Sequence, residues 1–445
     1  MQEREGRCHT TGTVWDLQQP LGGLFGAHTR VRSASDEPRQ ITHIVGLGDL
    51  AQLFRQETTL PSGQEMPVHI NGTGMGLTDE EAELPAVCEA LERYCGAAFV
   101  VQDFTVASAE ELGSEALDLD RIPRCSDKEL SHPKCPLIAP SKSLPMRWVT
   151  GFSLLSGKKT YIPAVMVGNH IHFASRGERI FFPISTGCAA HTRLERALLS
   201  GIFEVAERDA IALLWLQKLP LPQIIVDFEP KSVAPYLESL LRATRDLEYY
   251  FFDATTDLGI PTVYGVQRAP WDKTGATFVS CASAASAAEA LAKVIRDLSH
   301  CSSAFRRPRP IPDNVEDFTG ILHGATYMAR EEQAHGFDFL LKSGARRLLS
   351  KIPAFEAASE KALLASTLNW LGEKGLDTFA VELSTDEALR SGFRVVKAII
   401  PGLQPISFAH RARYLGHPRL YEAPVQMGYE SLAEEDLNHL PQPFA

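Results

Sequence analysis

Hydrophobic and polar residues repeat one local pattern three times along the chain: an apolar strand-like run, a turn of small residues, and a helix with one apolar face. The three copies lie at 67–94, 181–217 and 277–303. Side chains alternate with a period of two in a strand and about 3.6 in a helix, so each change of period marks the turn. The pattern predicts an α/β (α+β) fold built from repeated strand–turn–helix units.

Two of the three helices have well-marked beginnings. Thr78, with Glu81 three residues later, is the sequence signature of a capping box and predicts a helix over 79–100. Small residues at 185–190 predict a tight turn before the second helix. The apolar face of that helix is formed by Leu194, Leu198, Ile202, Val205 and Leu213.

The chain divides into two predicted parts. Residues 1–65 mix short apolar runs with polar stretches and predict a small N-terminal α/β portion, which is followed by a main domain over 66–445. Five prolines in 121–147 predict a long loop. Consecutive strands are predicted for the apolar runs at 148–155, 160–168 and 170–175.

Charge and apolar content argue against a nucleic-acid-binding, membrane-spanning or secreted protein. The 445 residues carry 44 basic and 55 acidic side chains, and the net charge of −11 argues against broad contact with nucleic acid or an anionic membrane. No run of about 18 apolar residues offers a membrane span, and the N-terminal residues lack the apolar core of a secretory signal. We therefore expect a cytoplasmic protein whose eight cysteines are reduced.

Three shorter patterns favour a structural interpretation over a functional one. Cys125, His132 and Cys135 lack a clear fourth ligand and match no common zinc pattern. Residues 46–51 (GLGDLA) fit a loose dinucleotide fingerprint, but their position favours a turn and the start of a helix. The arginine- and proline-rich segment 305–312 favours a solvated loop over a phosphate or peptide contact.

Two of the predicted helices carry paired carboxylates, Glu89 with Glu92 and Glu204 with Glu207. Residues three apart lie on one face of a helix, and each pair interrupts a segment that is otherwise rich in apolar residues. Buried carboxylates need cations. Two such pairs on neighbouring helices predict a set of oxygen ligands for Mg²⁺, and hence a nucleotide site without a phosphate-binding glycine loop.

The segment 185–215 (STGCAAHTRLERALLSGIFEVAERDAIALLW) closely resembles the signature of the YcaO family, ATP-dependent enzymes that activate backbone amides in peptides. Segments 74–94, 289–300 and 395–422 resemble the family's first motif, third helix and C-terminal region. The resemblance covers roughly 66–445. It implies the YcaO fold, with ATP and Mg²⁺ held between the carboxylate-bearing helices.

By motif position, the resemblance implies that the metal ligands, which also contact the nucleotide, are Glu89, Glu92, Glu204 and Glu207. The further nucleotide-binding residues that it implies are Arg93, Glu195, Arg208, Lys293 and Asp297. Lys293 and Asp297 stand where arginine and glutamate are frequent in the family. Their spacing of four residues on a helix lets both reach one site.

The C-terminal sequence LPQPFA resembles the proline-rich tail of the azoline-forming branch, in which the tail reaches the active site. The catalytic positions that this resemblance implies are Pro441, Pro443 and Ala445, the last of which replaces the usual proline. Alternating prolines also favour an extended chain, so a frayed terminus is the alternative interpretation. His191 is common in the same branch, although a histidine after a turn is more often structural.

Other positions depart from the family pattern. A frequent lysine is Met75 here, and a serine in the following helix is Pro85. The acid expected after the second turn is replaced by Arg196, with Glu195 one residue early. A helix turns by about 100° per residue, so the Glu195 carboxylate would point elsewhere. We expect activity to be retained, with a non-catalytic scaffold subunit as the alternative.

The resemblance implies an ATP-dependent cyclodehydratase subunit that forms thiazolines and oxazolines from Cys, Ser and Thr of a ribosomal precursor peptide, giving a bacteriocin-like product. The implied partners are the precursor peptide, a separate leader-binding subunit and, for azole synthesis, a flavin dehydrogenase. A homodimer within a larger complex is the default assembly. Alternative chemistry on the same fold would produce a thioamide or an amidine.

Overall fold

The computed structural model describes residues 14–18, 23–49, 69–99, 103–169, 171–228, 230–304, 310–355 and 357–444. The strands in these ranges are β1 (Ala27–Arg32), β2 (Ile41–Asp49), β3 (His69–Gly76), β4 (Thr105–Ala107), β5 (Met146–Ser153), β6 (Lys159–Pro163), β7 (Cys188–His191), β8 (Gln223–Ile225), β9 (Glu248–Asp253), β10 (Thr262–Arg268), β11 (Thr277–Ser283), β12 (Arg346–Leu348), β13 (Phe379–Glu382) and β14 (Arg394–Ile399).

The α-helices in the same ranges are α1 (Asp79–Cys95), α2 (Ala109–Leu112), α3 (Asp127–Ser131), α4 (Leu194–Leu216), α5 (Ala234–Arg242), α6 (Ala287–Ala304), α7 (Ile321–Met328), α8 (Asp338–Leu341), α9 (Glu360–Glu373), α10 (Asp386–Arg390) and α11 (Arg419–Gln426). Most residues of α4 are buried, and this helix packs against β7, β11, β14, α9 and α11. It is therefore the central helix. Within the described ranges, no helix is both long and apolar enough to cross a membrane.

The strands form three sheets. An antiparallel sheet of three strands has the order β1-β2-β3, and a sheet of five strands has the order β11-β10-β9-β8-β12, in which β8 and β12 run parallel. A third, antiparallel sheet has the order β4-β5-β13-β14-β7, with β6 beside β5. The predicted α/β (α+β) class is confirmed.

The three predicted strand–turn–helix units are present as β3–α1, β7–α4 and β11–α6. Each of the three strands belongs to a different sheet. Helices α1 and α4 both contact β7, and α4 also contacts β11. The ends of three sheets therefore meet around the two helices that carry the paired carboxylates.

The predicted helix 79–100 begins where expected but is shorter. Thr78 caps α1 by accepting a hydrogen bond from the N–H of Glu81 at 3.3 Å. The helix ends at Cys95: the N–H of Gly96 still bonds to the carbonyl of Glu92 at 2.8 Å, whereas the N–H of Ala97 bonds to Tyr94, only three residues back, at 3.0 Å.

The tight turn predicted at 185–190 is wrong in its second half. Cys188–His191 form β7, which pairs with β14, so the turn is completed at Gly187. Gly187 has a φ of +87°, a backbone conformation that side chains disfavour, and a Cβ there would lie 2.2 Å from the carbonyl oxygen of Ala398. Only glycine fits this position without a shift of the backbone.

The strand predicted at 148–155 is confirmed as β5, and the one at 160–168 ends at Pro163, where a 3-10 turn begins. The described residues 171–175 form no strand, and this prediction is wrong. The N–H of Ala174 donates to the carboxylate of Glu178 at 2.7 Å instead of to a neighbouring strand.

The other predicted loops also change. The long loop at 121–147 contains the short helix α3, because Ser126 and Glu129 form a capping box. The predicted turn and helix start at 46–51 are wrong over 46–49, since these residues continue β2 and pair with β3. Positions 50 and 51, and residues 305–309 of the basic segment, lie outside the described residues.

The predicted boundary between 1–65 and 66–445 falls between two paired strands. β1 and β2 come from the first part, and β2 pairs with β3 from the second. The two-part division stays a prediction.

Glycines let α1 lie directly on β3. An added Cβ at Gly72 would lie 2.0 Å from the carbonyl oxygen of Ala86, and one at Gly74 would lie 1.9 Å from that of Ala82. Both neighbours are buried alanines on α1. Small residues on both surfaces thus allow the close approach that places Glu89 of α1 beside β3.

We expect Gly74→Ala to destabilise the protein, because the new methyl group collides with helix backbone rather than with a side chain that could move. The expected loss in free energy of unfolding is about 1–3 kcal/mol or more, the usual cost of overpacking. Urea unfolding would measure it. Gly26→Ala is the control, since a Cβ there meets nothing within 4 Å; equal stability of the two variants would contradict the close-approach argument.

Candidate active site

A cavity of about 380 Å³ lies between α1, α4 and the β11–α6 unit. We call it the carboxylate cavity. Its acidic lining residues are Glu89, Glu92, Glu204, Glu207, Glu289 and Asp297. Its basic lining residues are Arg196, Arg208, Lys293 and Arg296.

Backbone N–H groups hold each of the four predicted metal ligands. Three of the donors lie on the strands that precede the helices, and the fourth, Gly187, lies in the turn before β7. The hydrogen bonds are Thr73 N–H to Glu89 (2.5 Å), Ala190 N–H to Glu92 (2.8 Å), Gly187 N–H to Glu204 (2.9 Å) and Ser283 N–H to Glu207 (3.0 Å). All three strand–turn–helix units therefore contribute to the position of the carboxylates.

Two arginines pair with three of these carboxylates. Arg208 donates to Glu207 at 2.7 Å and to Glu204 at 3.2 Å, and Arg93 donates to Glu89 at 2.5 Å. Within the described residues, Glu92 has no ion-pair partner. Glu92 is therefore the carboxylate in most need of a further cation.

The carboxylates are held in an environment that disfavours their charge. Burial raises the pKa of Glu92 well above its ordinary value and raises that of Glu89, with Glu204 nearby acting in the same direction. Burial, opposed by the charge of Arg208, raises the pKa of Glu207 to about 7. A bound cation would remove this penalty, because it favours the ionised form.

The donor set fits Mg²⁺. Carboxylate oxygens are hard ligands, and Mg²⁺ in nucleotide sites is usually held by one or two carboxylates together with phosphate oxygens. The described carboxylates are spread along the cavity wall rather than gathered at one point, which leaves room for phosphate between them. The four basic residues would balance phosphate charge.

The comparison with protein families decides the identity. Residues 73–404, about three quarters of the chain, match the family model described as YcaO cyclodehydratase, ATP- and Mg²⁺-binding. The chain belongs to the YcaO family. Its cofactors are therefore ATP and Mg²⁺, as the resemblance of the motifs implied.

Two relatives by sequence carry no functional name. A protein in the tfuA 3′ region of Rhizobium leguminosarum bv. trifolii is 31% identical over 203 residues, which is 43% of this chain and 44% of that protein. An uncharacterised protein of Methanothermobacter thermautotrophicus is 23% identical over 394 residues, which is 83% of this chain and 89% of that protein.

Solved structures share the YcaO fold. A heterocyclase in complex with substrate and cofactor has a TM-score of 0.79 at 24% identity, over 96% of this chain and 56% of that chain. YcaO from Methanopyrus kandleri, bound with AMPPCP and Mg²⁺, has a TM-score of 0.60 at 15% identity, over 86% of each chain. A chain of the E. coli microcin synthetase McbBCD complex has a TM-score of 0.59 at 15% identity, over 94% of this chain and 96% of that chain. The matched part of this chain thus spans about half the length of the first relatives by sequence and by structure.

The fold brings most of the predicted site residues of this YcaO protein to one cavity. Besides the four glutamates, Arg208, Lys293 and Asp297 line the carboxylate cavity. Arg93 reaches it only through its ion pair with Glu89 and borders a separate cavity beside Tyr414.

Glu195 is not among the described residues that line the carboxylate cavity, whereas the neighbouring Arg196 is. The one-residue displacement seen in the sequence thus puts a cation at the position where the resemblance predicts an acid. Pro85 is exposed on α1 and lies away from the cavity. His191 is a local contact, since its Nδ1 accepts a hydrogen bond from the N–H of Arg193 at 3.0 Å.

The C-terminal tail ends against the site. The guanidinium of Arg208 lies 4.8 Å from the centre of the Phe444 ring, and Trp215 of α4 donates to the carbonyl of Leu440 at 3.1 Å. Pro441 and Pro443 therefore lie in a stretch that is anchored at both ends. Ala445, the third predicted tail residue, lies outside the described residues.

Sequence reasoning missed Glu289 and Arg296 of α6 and undervalued Arg196. The spacing of Glu289, Lys293 and Arg296 by four and three residues would have placed them on one helical face. Nothing in the local sequence marks this face as the one turned towards α1 and α4. That orientation depends on β11. The ammonium group of Lys293 donates a hydrogen bond to the carbonyl oxygen of Ser283 on this strand, at 3.3 Å.

We expect binding of Mg²⁺ with a non-hydrolysable ATP analogue to release protons near neutral pH. The raised pKa values leave carboxylates such as Glu207, with a pKa of about 7, partly protonated in the free protein, and cation binding ionises them. Affinity should therefore fall as the pH is lowered through 7. Titration calorimetry in two buffers of different ionisation enthalpy measures the released protons, and an enthalpy that is independent of the buffer would contradict the prediction.

Proposed function

We propose that this chain is an ATP-dependent cyclodehydratase subunit that forms thiazolines and oxazolines from Cys, Ser and Thr of a ribosomal precursor peptide. The observation that carries the proposal is that Arg208, which lines the carboxylate cavity, also contacts the ring of Phe444 in the C-terminal tail. One side chain would thus connect the proposed nucleotide site with the proline-rich tail. The proposed chemistry needs a phosphorylating site that a peptide can reach.

Different residues of the chain would bind the metal ion and orient the phosphates. Glu89, Glu92, Glu204 and Glu207 would hold Mg²⁺, which supplies neutralisation of phosphate charge. Arg208 and Lys293 would orient the phosphates, since guanidinium and ammonium groups donate charge-assisted hydrogen bonds to phosphate oxygens. A site partly removed from water strengthens each of these interactions.

In the proposed reaction, the oxygen of the peptide amide leaves as phosphate. The peptide thiol or hydroxyl adds to the preceding amide carbon and loses its proton, and the amide oxygen takes the γ-phosphoryl group of ATP. Loss of that oxygen as phosphate, together with the proton of the amide nitrogen, then forms the C=N bond of the ring. The net change in the peptide is the loss of one water, with ATP converted to ADP and phosphate.

The proposed partners follow from the same reaction. A heterocyclase of the same fold is recorded in complex with substrate and cofactor, and the microcin synthetase complex is recorded with pro-MccB17 bound. By analogy, this chain would take a precursor peptide, together with a separate leader-binding subunit and, for azole products, a flavin dehydrogenase. A homodimer within that complex stays part of the proposal.

Glu207→Gln is expected to abolish peptide-dependent ATP turnover and the loss of about 18 Da per ring from the peptide, because a neutral amide lacks the negative charge with which a carboxylate binds Mg²⁺. Purified chain, partner and precursor would be assayed for phosphate release and by mass spectrometry. Glu195→Gln is the matched control on the same helix and should keep activity. Unchanged turnover in Glu207→Gln would refute the assignment of the cavity.

The mass of the product separates the azoline proposal from the other chemistry of this fold. An exchange of oxygen for sulfur adds about 16 Da and forms no ring, since the attacking group is then an external sulfur source. Such a product would replace the azoline proposal with thioamide formation. Peptide bound without ATP turnover in the unaltered chain would instead indicate a scaffold subunit.

Phe444→Ala is expected to lower peptide-dependent turnover by roughly 2- to 30-fold, which corresponds to a lost cation–π contact of about 0.5–2 kcal/mol with Arg208. Nucleotide affinity should fall less than turnover, because the Arg208 ion pairs with Glu204 and Glu207 remain. Phe228→Ala is the control, since Phe228 is exposed. Equal activity of both variants would contradict a role for the tail at the site.

A further inference from the structure

A second cluster of potential metal ligands lies outside the carboxylate cavity. Among the described residues, His28, His43 and Glu83 form a group of three ligand side chains, each offering one donor atom within 4.8 Å of the others. They come from β1, β2 and α1. The set at Cys125, His132 and Cys135 that the sequence raised does not form such a group in the described chain.

The two imidazoles face each other across the β1–β2 pair. In this pair His28 is opposite Val45 and His43 is opposite Arg30, so the histidines are diagonal neighbours. Nε2 of His28 lies 2.6 Å from Nδ1 of His43, and Glu83 reaches to 3.7 Å from Nδ1 of His28. Two ring nitrogens this close hold a single proton between them.

A carboxylate behind His43 fixes which of its nitrogens is free. Asp79 is bound by the guanidinium of Arg30, which keeps it ionised, and an ionised carboxylate can only accept hydrogen bonds. Nε2 of His43 lies 2.8 Å from Asp79 Oδ1 and must therefore be the donor. The lone pair of a neutral His43 is then on Nδ1, the nitrogen that faces His28. Metal-bound histidines in proteins are held by the same kind of carboxylate partner.

We propose that His28, His43 and Glu83 bind a divalent transition-metal ion of the zinc class. Imidazole nitrogen with one carboxylate oxygen suits Zn²⁺, Ni²⁺ or Cu²⁺ and disfavours Mg²⁺, which takes oxygen ligands. The ion takes the place of the proton between the two rings. This site is separate from the proposed cyclodehydratase function and does not depend on it.

The geometry allows the ion to enter. Ligands about 2.0–2.1 Å from a tetrahedral Zn²⁺ lie roughly 3.3 Å apart, so the rings must separate by about 0.7 Å. His43 is almost completely buried, with 5% of its side chain exposed, but 33% of His28 and 27% of Glu83 remain exposed. The exposed pair can therefore move towards an incoming ion while His43 stays fixed by Asp79.

The consequence would be structural. The ion would tie the β1–β2 hairpin to α1, and Glu83 lies on the same helix as Glu89 and Glu92. Because the ligands converge only in the folded chain, the ion stabilises the native state by mass action.

The test uses the full-length chain freed of metal, kept reduced, and supplied with Mg²⁺ and a non-hydrolysable ATP analogue so that the carboxylate cavity is occupied. Zn²⁺ alone is the probe in titration calorimetry. The unaltered chain and the control His172→Ala, whose side chain is exposed, should each bind one more Zn²⁺ ion than His28→Ala. Equal numbers of ions in the unaltered chain and His28→Ala would overturn the proposal.

Two further measurements guard against a variant that merely misfolds. Glu83→Gln keeps the shape of the side chain and should weaken Zn²⁺ binding at this site at least tenfold; unchanged affinity would overturn the proposal. Co²⁺ bound to the unaltered chain should show ligand-field bands without thiolate charge transfer. A thiolate band that survives in His28→Ala, with no other cobalt signal lost, would assign the ion to cysteine instead.

Discussion

The structure depends on holding four carboxylates around one cavity against their mutual repulsion. Each of them receives a backbone N–H: from β3 for Glu89, from β7 and the preceding turn for Glu92 and Glu204, and from β11 for Glu207. A backbone donor cannot swing away as a side chain can. The three sheets are therefore fixed relative to one another by the same hydrogen bonds that aim the carboxylates, so the fold and the site share one set of constraints.

Arg208 links that constraint to the end of the chain. It pairs with Glu204 and Glu207 on its own helix and presents its face to the ring of Phe444. Because Arg208 partly neutralises their charge, the two carboxylates can lie close together. The Phe444 ring covers the guanidinium, which would otherwise be more hydrated. The next residue of α4, Asp209, belongs to a second network. Asp209 and Asp257 both bind the guanidinium of Arg419, which fixes α4 to α11. The central helix is thus held by alternating charges on consecutive residues.

Local sequence patterns predict the parts of this arrangement that are themselves local. The i, i+3 glutamate pairs, the Thr78 cap and the three strand–turn–helix units depend on neighbouring residues, and all are present. The family and its cofactors followed from the motifs. Strand partners are harder to predict, because pairing joins residues that are far apart in the chain. The short strand β7 was therefore predicted as part of a turn, and the assignment of the three units to three different sheets was not predicted. For the same reason no pattern could bring His28, His43 and Glu83 together.

The replacement at Arg196 bears directly on whether the chain is a catalyst or a scaffold. Six acids and four bases line the carboxylate cavity, and the excess of acid persists even with a cation where the family has a carboxylate. Partly buried like charges cost stability, and apolar residues of similar size are often at least as stable in such places. A scaffold gains nothing from that cost, whereas a site that binds Mg²⁺ and phosphate recovers it on binding. Burial raises the pKa of Glu207 and of Glu92, so keeping these carboxylates ionised costs free energy in the free protein, as we expect of the proposed catalytic site.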